Sequence, residues 1–438
     1  MSAAVVIGGG YSGLVAARRL LRAGVDVVVC EARDRVGGRA YTKASPNGTA
    51  LDLGGQWIGG EQERVYALAR ELGAAIVPVH DQGRAVIQRD GRRWPDGGDP
   101  PGYRRALAQL DRLAAVVSVD APWDAPQGAV WDGQTFRTWL DANAPHEDVR
   151  WLVQNVVEGT FAADVGEISL LHVLFGIASA GGTGAMFERA EQAWLAGGAQ
   201  TLADRMADEL GDRVRMGTRV DQVSWTDGGV ALEGPGLALT AEHAIVALSP
   251  HLAGRLRYSP PLPGRRDQLT QSVPMGAAVK LHCLYNRPFW RPVGLSGDSL
   301  SDGDGLTLLT RDSSPGGDGP GVLTCLITAG SARRWLALDN GLRRGRLLAR
   351  LADLFGDGSR CPVEVVEKCW PEDPFSGGAY DAHFPPGVWT SLGDALRAPI
   401  GPLHWAGSET AARWCGYLDG AISAGERAAD EVLGARRR

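Results

Sequence analysis

Ala3-Ala4-Val5-Val6-Ile7-Gly8-Gly9-Gly10-Tyr11-Ser12-Gly13 is the stretch that decides the fold. Its apolar opening, Ala3–Ile7, has the character of a short buried strand. Leu14, Ala17, Leu20 and Leu21 then recur at helical spacing up to Gly24. Val25–Cys30 is a second β-branched run, closed by Glu31. Strand, glycine turn, helix, strand and acid make a βαβ unit with the dinucleotide fingerprint in its required context. Gly8 permits the tight turn, Gly10 lets the backbone approach a pyrophosphate, and Gly13 lets the helix pack close to the strand. The helix N-terminus offers free N–H groups and partial positive charge to phosphates. Glu31 lies 18 residues beyond Gly13, placed to accept hydrogen bonds from the adenosine ribose hydroxyls. An acid there argues against a ribose 2′-phosphate.

Further glycine turns extend this reading. Glu31-Ala32-Arg33-Asp34-Arg35-Val36-Gly37-Gly38-Arg39 puts a glycine pair and a forked cation just past the acid. Asp52-Leu53-Gly54-Gly55-Gln56-Trp57 is another turn with close backbone. Near the C-terminus, His404-Trp405-Ala406-Gly407-Ser408-Glu409-Thr410 reads as strand then turn, and Tyr417–Val432 as a helix. Helices are also expected at Glu61–Leu72, Tyr103–Val117 and Thr201–Leu210, and strands at Ala244–Leu248, Ala277–Leu284 and Val322–Thr328. Gly/Pro/Asp-rich breaks fall at Gly91–Gly102, Ser259–Gly264 and Ser313–Gly321, and the acidic run Gly297–Gly305 reads as a solvated loop. The middle of the chain has no second βαβ series, so it is read as an inserted substrate-binding domain.

These blocks resemble the flavin-containing amine oxidases, the family of monoamine, polyamine and L-amino-acid oxidases. GGGYSG, EARDRVGGR, DLGGQW, VKLHCLYNRPFWR, SGGAYDAHFPPG and WAGSETAARWCGYLDGAISAGERAA follow the family's order over nearly the whole chain. The resemblance implies an α/β (mixed α+β) protein. A Rossmann-like FAD domain of the glutathione-reductase type would be assembled from 1–79, 197–265 and 391–438. A mixed-sheet and helical substrate domain would comprise 80–196 and 266–390. The family pattern places FAD against Gly8, Gly10, Ser12, Gly13, Glu31, Arg33 and Arg39. It adds Gly54, Gly55, Gln56 and Trp57, Val220 through its backbone, Trp370, then Gly407, Ser408, Glu409 and Leu418.

The resemblance also implies the chemistry: hydride leaves the carbon beside an amine nitrogen for the flavin, the imine is hydrolysed, and O2 becomes hydrogen peroxide. Lys280 matches the family lysine beside the flavin. Of the 45 basic residues only Lys43, Lys280 and Lys368 are lysine, and Lys280 sits in the apolar run Ala277–Cys283. Burial would lower its pKa and let it exchange protons near neutrality. Tyr380 and Tyr417 match the aromatic cage that aligns the amine and excludes water. Glu191 or Glu158 is a candidate for a second ammonium in a diamine, and the pocket is expected to draw on Trp151–Trp194. Which amine is oxidised stays open.

Composition narrows the alternatives. The net charge of −6 argues against a nucleic-acid binder. Leu170–Ala180, the longest apolar stretch, is interrupted by His172 and falls short of the roughly 18 residues a membrane span needs. Neither a cleaved leader nor a membrane tail is expected, and the six cysteines show no disulfide or metal spacing, which fits a reducing cytoplasm. The histidines show no metal-ligand spacing, so no metal is expected. The expected partners are an amine and O2, and a homodimer is left open. A nicotinamide dehydrogenase would explain Gly8–Glu31 but not the C-terminal flavin motif. An L-amino-acid oxidase would need an arginine for the substrate carboxylate, and Gln56-Trp57 stands in its place, although arginines of the substrate domain remain candidates.

Animal monoamine oxidases join a cysteine to the flavin immediately before the first cage tyrosine. Here that residue is Ala379. Acid precipitation is therefore expected to release all FAD into the supernatant. Yellow colour remaining with the pellet would show a covalent tether at another thiol, Cys369 or Cys415.

Overall fold

The computed structural model describes residues 2–94, 99–316 and 319–437. Ser2–Ile7 and Val27–Cys30 are parallel neighbouring strands joined by the helix Tyr11–Arg22, which is the expected βαβ unit. The second strand starts two residues late because the Val25 amide still bonds the Leu20 carbonyl at the end of the helix. The sheet runs Val214–Arg215, Val27–Cys30, Ser2–Ile7, Leu237–Val246, Gly229–Gly234, Gln222–Thr226, Arg257–Ser259. Leu403–Trp405 pairs in parallel with the C-terminal end of Leu237–Val246. The chain's N-terminal, middle and C-terminal segments thus share one sheet.

The second large sheet is mainly antiparallel. Its order is Glu364–Cys369, Ala278–Tyr285, Gly321–Thr328, Leu306–Asp312, Leu295–Gly303, Arg84–Arg89, Arg92–Arg93. The solvated loop expected at Gly297–Gly305 is instead mostly strand. Leu295–Gly303 pairs with Leu306–Asp312 on one side and Arg84–Arg89 on the other. Its polar residues misled because their partners lie in the protein: Asp302 accepts from the Trp151 indole (2.7 Å) and Ser299 bonds the Thr310 hydroxyl (2.7 Å). Interior pairing of this kind overrides a weak strand propensity. The break at Gly91–Gly102 is described only outside 95–98, and that at Ser313–Gly321 only outside 317–318.

A helical layer covers the mixed sheet, with Tyr103–Ala114, Glu147–Phe161 and Leu170–Ala180 in one apolar cluster. Leu170–Ala180 is a buried core helix, which explains an apolar run too short for a membrane. Its His172 accepts from the Trp389 indole (3.0 Å) and stacks on Phe384. Burial depresses its pKa to about 3, so it sits in the core as a neutral ring.

The first helix packs along the last, Leu418–Ala435. Gly425 makes this approach possible, because a Cβ there would collide with the Ser12 carbonyl oxygen. Gly425→Ala removes a mid-helix glycine, which by propensity alone gains about 1 kcal/mol. The collision is with backbone and should win, giving a net loss of about 1–3 kcal/mol. Thermal unfolding checks this, and a raised midpoint would contradict the close packing.

Candidate active site

One cavity is lined by residues from both large sheets. Gly8, Glu31, Ala247 and Gly407 reach it from just beyond the C-terminal ends of parallel strands, the usual ligand position in such sheets. Ala278, Lys280 and Leu326 reach it from the mixed sheet.

One arm of the cavity has the form of a dinucleotide cradle. Gly8 has φ +106°, and a Cβ there would meet the Ala247 carbonyl oxygen at 2.8 Å. A Cβ on Gly13 would collide with the Gly8 carbonyl, so Gly13 serves the helix–strand contact and does not itself line the cavity. Gly10 differs. Its nearest neighbour to an added Cβ is Gly38 Cα at 4.0 Å, and that side faces the cradle. The helices starting at Tyr11 and Leu418 have no side-chain cap at their N-termini, and Ser12 and Leu418 line the wall. Glu31 is buried, and its carboxylate accepts from the backbone amides of Gly9 (2.7 Å) and Arg33 (2.8 Å). Together these groups fit FAD: glycine cradle, free helix amides for phosphate, and an oriented carboxylate for ribose.

Arg33, Arg39, Gly54, Gly55, Gln56, Trp57, Trp370, Gly407 and Ser408 also line the cavity. Arg33 donates to Asp373 (2.6 Å) and Ser376 (2.8 Å), tying the glycine loop to the segment before Tyr380. Val220 and Glu409 are not at the wall. Val220 lies in the apolar cluster of the first sheet, and Glu409 holds Arg39 through both oxygens (2.7 and 2.9 Å).

The other arm holds the three candidate catalytic residues. Lys280 lies on Ala278–Tyr285, an interior strand, and is 3% exposed. Its Nζ donates to the Gly54 carbonyl (3.0 Å) and Gln56 Oε1 (2.7 Å), and stands 4.6 Å from the Trp57 ring centre. Burial lowers its pKa to about 8, against the opposing pull of Asp52 and Glu191. Gln56 is fixed in turn by donating to Ser313 (3.1 Å). Trp57 Nε1 is buried without an acceptor among the described residues.

Tyr380 and Tyr417 both line the cavity, and burial pushes both hydroxyl pKa values upward, so both rings are neutral. Tyr417 packs edge-on against Trp414 at 5.1 Å. From the stretch Trp151–Trp194, residues Gly159, Thr160, Phe161, Met186, Ala190 and Glu191 reach the wall. Glu191 is bound by Arg311, whose guanidinium donates to its carboxylate (2.6 Å) and its backbone carbonyl (3.2 Å). Glu158 is not at the wall; burial raises its carboxyl to about 7, and Gln154 donates to it (2.9 Å). Asp381 is at the wall but stands out in no motif as a chemical group; the only sequence signal is its place after Tyr380.

Residues 11–433 match the family described as flavin containing amine oxidoreductase. The chain is 38% identical to an L-amino acid dehydrogenase of Synechocystis, over 98% of this chain and 94% of that one. It is 34% identical to amine oxidase [flavin-containing] B of Bos taurus, over 98% and 85%. Its structure superposes on cyclohexylamine oxidase from Brevibacterium oxydans with a TM-score of 0.95 at 33% identity, covering 100% of both chains.

The Lys280 shift has a consequence for stability. The folded pKa, about 8, lies below the ordinary 10.5, so the unfolded chain binds the proton more tightly. Stability present above pH 10.5 is therefore lost as pH falls towards 8. At ~1.4 kcal/mol per unit the loss is about 3 kcal/mol. Relative to Lys280→Met, the wild type should lose this amount over that window, read by denaturant unfolding at each pH. A difference that is constant with pH would contradict a buried, proton-resisting lysine.

Proposed function

The chain belongs to the flavin-containing amine oxidoreductase family, and from that premise we propose how its cavity handles an amine. The protein is a flavin-dependent oxidase of amines. FAD held in the glycine cradle would supply the redox chemistry, acceptance of hydride from the carbon beside the nitrogen and its return to O2 as hydrogen peroxide. The observation that carries the reading is one cavity joining a glycine dinucleotide cradle to a pocket walled by Tyr380, Tyr417 and Lys280.

The roles follow from the environments. Tyr380 and Tyr417 present neutral aromatic faces that attract and align a nitrogen centre and keep water away. Lys280 holds an exchangeable proton near neutrality and is the residue we assign to proton movement during oxygen reduction. Gly8, Gly10, Ser12 and Glu31 hold the nucleotide, and Arg33 and Arg39 brace the loops around it. The two large sheets support dividing the chain into cofactor segments (1–79, 197–265, 391–438) and substrate segments (80–196, 266–390).

Non-covalent FAD is supported by the cavity wall. Ala379 carries no sulfur, and Cys415 is the only thiol at the wall among the described residues. Burial pushes the Cys415 pKa well up, which suppresses the thiolate a tether would need. No helix among the described residues is long and apolar enough to cross a membrane. A cytoplasmic location is our reading of the cysteine usage.

Oxidation of L-amino acids is the second reading, favoured by the name of the Synechocystis relative. Arg311 stands behind the wall residue Glu191 and gives hydrogen bonds of 2.6 and 3.2 Å to that residue. A substrate carboxylate would have to displace an existing ion pair, so we favour simple amines.

The cage is the test. Tyr417→Phe keeps the aromatic face and should be mild. Tyr417→Leu removes it, at ~1–3 kcal/mol of transition-state stabilisation, which is about five- to a hundred-fold in kcat/KM. Anaerobic bleaching of flavin absorbance by an amine reads both variants, with thermal unfolding as control. Folded Leu variants at Tyr380 and Tyr417 that match wild type would make these tyrosines ordinary core residues.

A further inference from the structure

Asp381 is a buried carboxyl to which the functional reading assigns no task. It is 7% exposed and lies at the cavity wall immediately after Tyr380. Its backbone is pinned, because its carbonyl accepts from the Gly276 amide (2.9 Å). Its carboxylate packs against Gly416 so closely that a Cβ there would collide with Oδ2. It therefore sits beneath both cage segments, Tyr380 on one side and Cys415–Tyr417 on the other.

Among the described residues, no cation closes an ion pair with this carboxyl. The nearby cation, Arg39, spends its fork on Glu409, on Ser408 (3.2 Å) and on the Tyr380 carbonyl (2.7 Å). Among the described residues no other side chain donates a hydrogen bond to Asp381; the one donor is its own backbone amide. Around it stand Glu409, which repels its anion, and Arg39, which attracts it. Tyr417 and Cys415 face it as groups kept neutral by burial, with Arg397 behind Cys415. Tyr380 precedes it as a third neutral group. Burial and Glu409 raise its pKa to about 7. A protonated carboxyl is a strong donor, and a buried donor left unmatched costs free energy. From the cavity wall it can offer that proton to what fills the cavity.

We propose that Asp381 is a cofactor-binding residue that donates a hydrogen bond from its protonated carboxyl to bound FAD and loses that hold when it ionises. The proposal rests on FAD being the cofactor. It makes cofactor retention depend on pH through a single side chain. Linkage sets the sign: a ligand that needs the protonated form binds more weakly as pH rises, by at most about tenfold per unit above the carboxyl's pKa.

The holoenzyme is diluted into flavin-free buffer at about pH 6, 7.5 and 9, and released FAD is read from its fluorescence. Wild type should hold FAD at least about fivefold more weakly at the highest pH than at the lowest. Asp381→Asn, whose amide donates at every pH, should bind like wild type at low pH and stay within about twofold across the range. Asp381→Thr, which keeps a hydroxyl donor, should be equally flat and serves if the Asn variant does not fold. A flat wild-type profile would overturn the proposal, as would a variant that keeps the wild-type slope, which would move the effect to another group such as Lys280. Failure to bind FAD at any pH would overturn the cofactor reading itself.

Discussion

The structure depends on how one buried ammonium is held. Lys280 comes from the middle of the mixed sheet, and its proton acceptors, Gly54 and Gln56, come from a turn beside the dinucleotide cradle. The same turn is strapped down just before that contact as well. His282 Nε2 donates to the Asp52 carbonyl (2.8 Å), and the Trp370 indole donates to the Leu53 carbonyl (2.8 Å). Four residues of the turn, Asp52, Leu53, Gly54 and Gln56, are thereby fastened to the mixed-sheet side of the cavity. A charged group this deep is tolerated only with hydrogen bonds in place, so fastening and chemistry share one set of contacts.

Dryness then organises the rest of the site. It lowers the lysine's pKa towards neutrality, keeps Tyr380 and Tyr417 un-ionised, and leaves His282 neutral, its pKa down at about 3. It also makes each charge at the wall answerable to a partner. Arg39 is matched by Glu409, and Glu191 by Arg311. Among the described residues Asp381 is the member of this set without an ion-pair partner, and the proposal made for it rests on that difference.

Much of this was legible in the sequence, for a physical reason. Glycines with forced geometry, such as Gly8 and Gly13, and a lysine inside an apolar run such as Lys280, are local signals. The strand–turn–helix–strand unit from Ser2 to Cys30 could be read from periodicity alone. What was not legible depends on distant partners. The Gly297–Gly305 segment looks like a loop until Trp151, Thr310 and the strand Arg84–Arg89 are placed beside it. Glu409 reads as a cofactor contact until Arg39 is found across it. Asp381 shows nothing by itself, because its character comes from burial and the nearness of Glu409.

The central claim is that this cavity accepts an amine without a carboxylate beside it. Peroxide release in air from phenethylamine and from L-phenylalanine, which differ by that carboxylate, tests it most directly. The account predicts turnover of the amine with kcat/KM at least about tenfold above the amino acid, a margin of ~1.4 kcal/mol. Faster turnover of the amino acid, abolished in Arg311→Met, would show that Arg311 leaves Glu191 to clamp a carboxylate and would contradict the account.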